Sequence, residues 1–173
     1  MELIPFGILL RGAITYGELY HERDIVFGPA MNEAYEMENK VAVYPRIIIN
    51  EKAITQYIEY VSGDEGSLQC LKDLIKKDKD GIWFLDILRQ QEEIDGSYYN
   101  YIEWLSSFRV IIFNGLQHEK LNVRVKYQWL STYFNEVVME YLSLLVQQDK
   151  LSDEKKECIS MLEKLIIDEN SCI

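Results

Sequence analysis

At 173 residues and 48% hydrophobic, the chain is long enough for one domain with a fair core, and its composition is ordinary for a globular protein. A formal net charge of −11, from 29 acidic and 18 basic residues, disfavours nucleic acid as a partner, since such binding rests on clustered Lys and Arg neutralising phosphates; it disfavours an anionic membrane surface too. Three cysteines, Cys70, Cys158 and Cys172, are too few and too scattered for a disulfide framework or a zinc site, so a reducing cytoplasm is the simplest setting.

Residues 1–10 lack a basic lead and a long apolar core, so they do not read as a signal peptide, and no run approaches the length of a transmembrane helix. Residues 8–20 are rich in branched and aromatic side chains and contain no proline, which predicts a strand; Gly12 and Gly17 allow a bulge or the close approach of another backbone. A polar turn at His21-Glu22-Arg23 leads to a second short apolar run, 24–27, which ends at Gly28-Pro29. Proline presets φ and needs no acceptor for its nitrogen, so a helix is predicted over 29–40. Ala30, Met31, Ala34, Met37 and Tyr35 give it an apolar stripe, with Asn32, Glu33, Glu36 and Glu38 on or beside the polar flank. Asn32 falls in the first turn, near unpaired backbone donors and the positive end of the dipole, where a phosphate could sit.

A second apolar strand is predicted at 44–49. Asn50 then caps a helix over 51–61 with Ala53, Ile54, Tyr57, Ile58 and Val61 inward. After a turn at 62–66, Leu68, Leu71, Leu74 and Ile75 mark a short helix that ends in the polar run 76–81. Asp78-Lys79-Asp80-Gly81 invites a calcium-loop reading, but the first and last ligand positions would be Lys76 and Ile87, so the reading is rejected. A polar turn leading into a strand at 82–88 replaces it.

Beyond a polar linker at 89–96 the sequence becomes helical, with helices predicted over 98–119, 121–148 and 152–168 and a sharp connection at 149–151. In the middle helix Val123, Tyr127, Leu130, Phe134, Val137, Tyr141 and Leu144 form a bundle seam. Leu105, Phe108, Ile112 and Leu116 before it, and Cys158, Leu162 and Leu165 after it, supply facing layers of an antiparallel arrangement. The aromatic stripe Tyr127, Tyr133, Phe134 and Tyr141 reads as core, while His21 and His118 are isolated and read as solvent-exposed.

Arg11-Gly12-Ala13-Ile14-Thr15-Tyr16-Gly17-Glu18, followed by Gly28-Pro29-Ala30-Met31-Asn32-Glu33-Ala34-Tyr35-Glu36-Met37-Glu38, resembles the second half of the class III nucleotidyl (adenylate/guanylate) cyclase catalytic domain. In that family a strand of type R-x-G-I-x-x-G leads through a hairpin into G-x-x-V-N-x-A-A-R-L-E. The resemblance covers about the first third of the chain, and 125–135 also looks like a stretch that accompanies this half in a divergent bacterial group of cyclase-like proteins. It implies an α+β fold: a partial ferredoxin-like cyclase half, strand–hairpin–helix–strand–helix, over 1–90, followed by an antiparallel three-helix extension over 97–168.

It also implies that Asn32 contacts a nucleotide ribose, with Gly28, Arg11 and Arg46 as further nucleotide-binding candidates. Arg46 could replace the family's phosphate-binding arginine or pair with Glu36 or Glu38; Arg11 reads equally as a surface or ion-pair arginine, and Asn32 as a residue that caps or faces solvent in the first turn. The transition-state arginine of the family is Glu36 here, a reversal of sign, and the base-reading position falls in strict register on Ile25, with Asp24 one residue away, so the sequence specifies no base. Family members use Mg2+ held by two aspartates that precede the matched region, and those ligands are expected to be missing from this sequence. A nucleoside triphosphate is the implied ligand. The chain is expected to be inactive alone and to form a homodimer or pair with a cyclase-like partner chain, because the strand around Arg11 lacks a neighbour and leaves an apolar face to cover. The alternative is a non-catalytic, helix-rich interaction or regulatory module.

Overall fold

The computed structural model describes residues 4–90, 98–147 and 152–168. The chain forms two compact units, one spanning Leu10–Arg89 and the other combining Met1–Leu9 with Gln90–Ile173. The fold class is α+β.

In the first unit the elements are β1 (Gly12–Ile14), β2 (Tyr20–Glu22), β3 (Ile25–Phe27), α1 (Pro29–Lys40), β4 (Ile47–Ile49), α2 (Glu51–Tyr60), α3 (Glu65–Leu74), β5 (Ile75–Lys77) and β6 (Trp83–Leu85). The β-branched triplet Ile47-Ile48-Ile49 takes an interior place in a mixed sheet of order β1-β4-β6-β5. β1 runs parallel to β4, with Gly12 opposite Ile47 and Ile14 opposite Ile49, and α1 lies in the crossover between them. β6 is antiparallel to both β4 and β5. Ile48, Phe84 and Leu88 are the largest fully buried side chains of this unit.

The strand predicted over 8–20 is shorter than its composition suggests. The chain leaves the sheet after Ile14, bends at Gly17, and re-forms as the separate β2–β3 hairpin, which turns at Arg23-Asp24 with Arg23 at φ 53°. Ile75 belongs to β5 rather than to the end of a helix, because pairing with Leu85 extends it and overrides the helical spacing of Leu68, Leu71 and Leu74. The strand predicted over 82–88 stops at Leu85, and a 3-10 turn, Ile87–Arg89, follows. Lys77 Nζ lies 3.1 Å from Glu51 and 5.4 Å from the Trp83 ring centroid, and its hydrogen bond and charge hold the Glu51 carboxyl below its usual range.

Asp64 caps α3, accepting from the amides of Gly66 and Ser67 at 3.1 and 3.4 Å and from the Ser67 hydroxyl at 2.6 Å. These bonds, the hydroxyl's first, hold its carboxyl below the ordinary value. A folded-state value below the unfolded one means that the cap's contribution is complete at neutral pH and is lost as pH falls through the folded value. We therefore expect the stability gap between wild type and Asp64→Asn to be flat above about pH 5 and to shrink in more acidic solution; a gap unchanged down to about pH 2 would contradict the cap's ionic character.

The second unit contains α4 (Tyr98–Leu116), α5 (Leu121–Val146) and α6 (Asp153–Glu163), with a 3-10 turn, Ile4–Phe6, packed against α4. Leu105, Phe108, Ile112 and Leu116 of α4 are buried, as are Cys158 and Leu162 of α6 and Leu165 beyond it. Tyr133, Phe134 and Tyr141 are core. The seam of α5 departs from the predicted one at its end: Leu145 is buried, whereas Leu144 is 61% exposed. A strict seven-residue repeat drifts on a straight helix of 3.6 residues per turn, which moves the inward position one residue along. Tyr101 stands edge-on to Tyr141 at 5.1 Å, and Trp104 edge-on to Phe108 at 5.1 Å. Gly115 lies under the ring of Tyr127, so close that a Cβ there would overlap ring atoms. Burial pushes the Cys158 thiol up, helped by the carboxylates of Glu154 and Glu157. The connection at 149–151, residues 91–96 of the linker and Cys172 lie outside the described residues. Among the described residues no helix is long and apolar enough to cross a membrane.

Candidate functional site

The parallel pairing of β1 and β4 continues one step past the strands, where the Asn50 amide donates to the Ile14 carbonyl at 2.9 Å. Thr15 and Asn50 thereby meet at the carboxyl ends of the two strands. α1 returns against β1, so its first turns reach the same end and deliver Glu33. Thr15 Oγ1 donates to Glu33 Oε2 at 2.9 Å, and Asn50 Nδ2 donates to Glu33 Oε1 at 2.9 Å. Asn50 Oδ1 meanwhile accepts from the Lys52 amide at 2.9 Å and caps α2. One carboxylate therefore ties a strand, a crossover helix and a helix start together.

Beside this cluster an open groove of about 560 Å3 is lined by Thr15, Tyr16, Ala53, Gln56, Tyr57, Glu59 and Tyr60. It exists because α2 buries none of its residues: Tyr57 and Ile58, predicted inward, are 40% and 44% exposed. A Cβ on Gly17 would lie 3.4 Å from Ala30 Cβ and 3.5 Å from Lys52 Nζ, in ordinary van der Waals contact with both.

The residues proposed from the sequence fall at two ends of the sheet. Arg11 and Arg46 immediately precede β1 and β4 at their amino ends. Gly28 and Asn32 belong to the start of α1, at the carboxyl ends, about 10 Å away along three-residue strands. Arg11 forms an ion pair with Glu38 and reaches the Ala42 carbonyl at 3.4 Å. Arg46 is buried, and its partners are Asp78 and Asp80 rather than Glu36 or Glu38. Its guanidinium also lies 5.2 Å from the Tyr44 ring centroid and 5.5 Å from that of Phe84. The β5–β6 turn folds back over the start of β4 and brings the two aspartates there, a placement that sequence spacing does not encode.

Gly28 is the N-cap of α1 at φ 147°, and a Cβ on it would stand 2.7 Å from the Glu18 carbonyl oxygen. That same carbonyl accepts from the Ala30 amide at 3.2 Å, and the Asn32 amide donates to Gly28 at 3.2 Å. With Pro29 lacking a donor, only the Met31 amide of the first turn has no backbone acceptor among the described residues. The predicted reservoir of free donors is therefore largely used. The Asn32 side chain is exposed. Glu36, one turn on, pairs with Lys40 at 3.2 Å on the exposed surface.

Among the described residues, none of the carboxylates forms a cluster suited to a magnesium pair. Asp78 and Asp80, the aspartates that stand together, share the Arg46 guanidinium, and no group of three or more potential metal ligands occurs among the described residues.

By its place in the sequence Glu33 falls on or beside the polar flank of α1. The spacing Ala30, Glu33, Ala34, Met37 is an i, i+3, i+4, i+7 face, so the signal for an inward carboxylate was there, and Thr15 and Asn50 were the hydrogen-bonding side chains to look for. The tyrosine groove was less accessible, because Tyr57 also fits an inward-facing helical stripe. No family model, no curated protein and no solved structure matches this chain.

Proposed function

We propose that the Leu10–Arg89 unit is a cyclase-like half-domain that keeps a nucleotide contact at Asn32, does not make a cyclic nucleotide by itself, and works by association with a second copy or with a fuller cyclase-like subunit. One observation carries the reading: the sequence stretch that resembles the cyclase half folds as strand, hairpin, glycine-capped helix and parallel strand, with Asn32 exposed near the start of that helix. Glu36 puts a carboxylate where the family has its transition-state arginine. Loss of one such donor typically costs about a hundred- to a thousandfold in rate, and a negative charge facing a triphosphate costs more. Magnesium, which the family uses, would have to be held by the partner's residues.

Two features support association. Among the described residues β1 has a strand partner on one side only, and the β2–β3 hairpin exposes Tyr20, Ile25, Val26 and Phe27. A lone two-stranded hairpin is marginal in water, and the Tyr20–Phe27 ring contact at 4.8 Å is slender support for one. A cytoplasmic setting fits Cys70 and Cys158, which are both free thiols.

The test is calorimetric titration of the full chain with ATP, GTP, CTP and UTP, with and without magnesium, in wild type and Asn32→Ala, alongside light scattering. We expect saturable binding of at least one nucleotide, weakened about tenfold or more in Asn32→Ala, no cyclic product, and a dimeric mass. Absence of binding by all four, or binding indifferent to Asn32, overturns the nucleotide role; a monodisperse monomer overturns self-association.

A further inference from the structure

We infer that the groove between the end of β1 and α2 is a binding site for an organic ammonium cation, of the quaternary or fully methylated kind. Its lining contains three phenol side chains, Tyr16, Tyr57 and Tyr60, and one carboxylate, Glu59. It contains no lysine, arginine or histidine. Aromatic faces attract a cation through the ring quadrupole, and three of them with one carboxylate form the composition that recognises alkylated ammonium groups.

Other ligand classes fit less well. An anion would meet Glu59 with no positive side chain among the lining residues, and the nearby Lys52 amine lies at Gly17, outside the lining. A neutral apolar ligand would force Glu59 to lose hydration without compensation. A primary ammonium carries three strong donors and a tightly held water shell, whereas a methylated one gives up little hydration to enter a ring-lined site.

Local bonds and helix spacing order the exposed lining residues. Gln56 Nε2 donates to Glu59 Oε2 at 2.7 Å and leaves the carboxylate's second oxygen for the cation. Gln56, Glu59 and Tyr60 lie three and four residues apart and so share one face of α2 with Tyr57 beside them. The Thr15 hydroxyl is held by Glu33 at 2.9 Å, which anchors the strand end that carries Tyr16. The groove opens outside the carboxyl ends of parallel strands, where open α/β sheets place their ligands. A net charge of −11 raises the local concentration of cations around the chain. The site is independent of the nucleotide reading, since neither Asn32 nor Arg11 lines it.

The experiment is titration of the full chain with three probes, followed by calorimetry or by the amide shifts of α2: choline chloride, its neutral isostere in which carbon replaces the quaternary nitrogen, and blocked trimethyl-lysine. We expect saturable millimolar binding of both cations and about tenfold weaker binding of the neutral isostere. The tighter of the two cations tells whether the source is a free small molecule or a modified protein side chain. Tyr57→Leu and Glu59→Gln should each weaken cation binding about threefold to tenfold. Tyr35→Leu, which removes a 70% exposed tyrosine outside the groove, should leave it unchanged. Tyr57 and Glu59 are exposed, so the far-ultraviolet dichroism of both variants should remain that of wild type. Equal affinity for the neutral isostere, binding unaffected by both groove variants, or no saturation by either cation overturns the proposal.

Discussion

Arg46→Ala should lower the unfolding free energy by about 3 kcal/mol, read as a shifted urea midpoint with an unchanged slope. The side chain is 2% exposed and serves two carboxylates, whose own side chains are 17% and 37% exposed. Truncation takes from Asp78 and Asp80 the guanidinium they share and removes the planar group that lies over the rings of Tyr44 and Phe84. The partial exposure of Asp80 lets water reach one carboxylate, which holds the loss to the low end of the range for breaking a buried pair. The reverse lesion is worse. Asp78→Ala together with Asp80→Ala removes both carboxylates from a buried guanidinium, which stays charged at any accessible pH, so the double variant should be less stable than Arg46→Ala. Arg46→Lys should recover only part of the loss, because one ammonium cannot reproduce a fork that addresses two aspartates. A midpoint unchanged in Arg46→Ala would mean that the three charges contribute nothing to the sheet.

A loss of about 4 kcal/mol is expected for Phe108→Ala. Phe108 is 1% exposed in α4 and meets the edge of Trp104 with ring centroids 5.1 Å apart. The substitution removes a ring's worth of apolar burial and leaves a cavity walled by a helix bundle that cannot collapse fully around it. The aromatic contact adds to the cost beyond area alone. Phe108→Leu, which refills most of the volume, should cost far less, about 1 kcal/mol. Urea unfolding followed by helical dichroism and by tryptophan emission decides this; equal midpoints for wild type and Phe108→Ala would place Phe108 outside any cooperative core.

The helices were legible in the sequence because each carries its own local signals. α1 starts at Pro29 after Gly28 and spans its predicted range, and α2 starts under the predicted Asn50 cap. The burial of Leu105, Phe108 and Ile112 followed from spacing alone. Pairing was not legible, because it depends on partners distant in the chain. Ile75 looked helical until Leu85 lay beside it, and residues 8–20 looked like one strand although β4 pairs with only three of them. The same limit governed the site. Arg46 found its aspartates 32 and 34 residues away, and Glu33 is held by hydroxyl and amide groups brought in from two strand ends. Charge partners named from neighbouring helix positions could not anticipate either.

The contact between Gly115 and the Tyr127 ring constrains how this bundle can change over generations. In an exposed helix, replacing glycine by alanine would gain about 1 kcal/mol, so drift constantly offers that step. At position 115 it is closed while a ring occupies 127, since overlap with packed ring atoms costs more than the propensity returns. The ring must first become smaller; only then is a side chain on α4 admissible at this level. Substitution here has an order, and the tyrosine acts as the gatekeeper of the glycine.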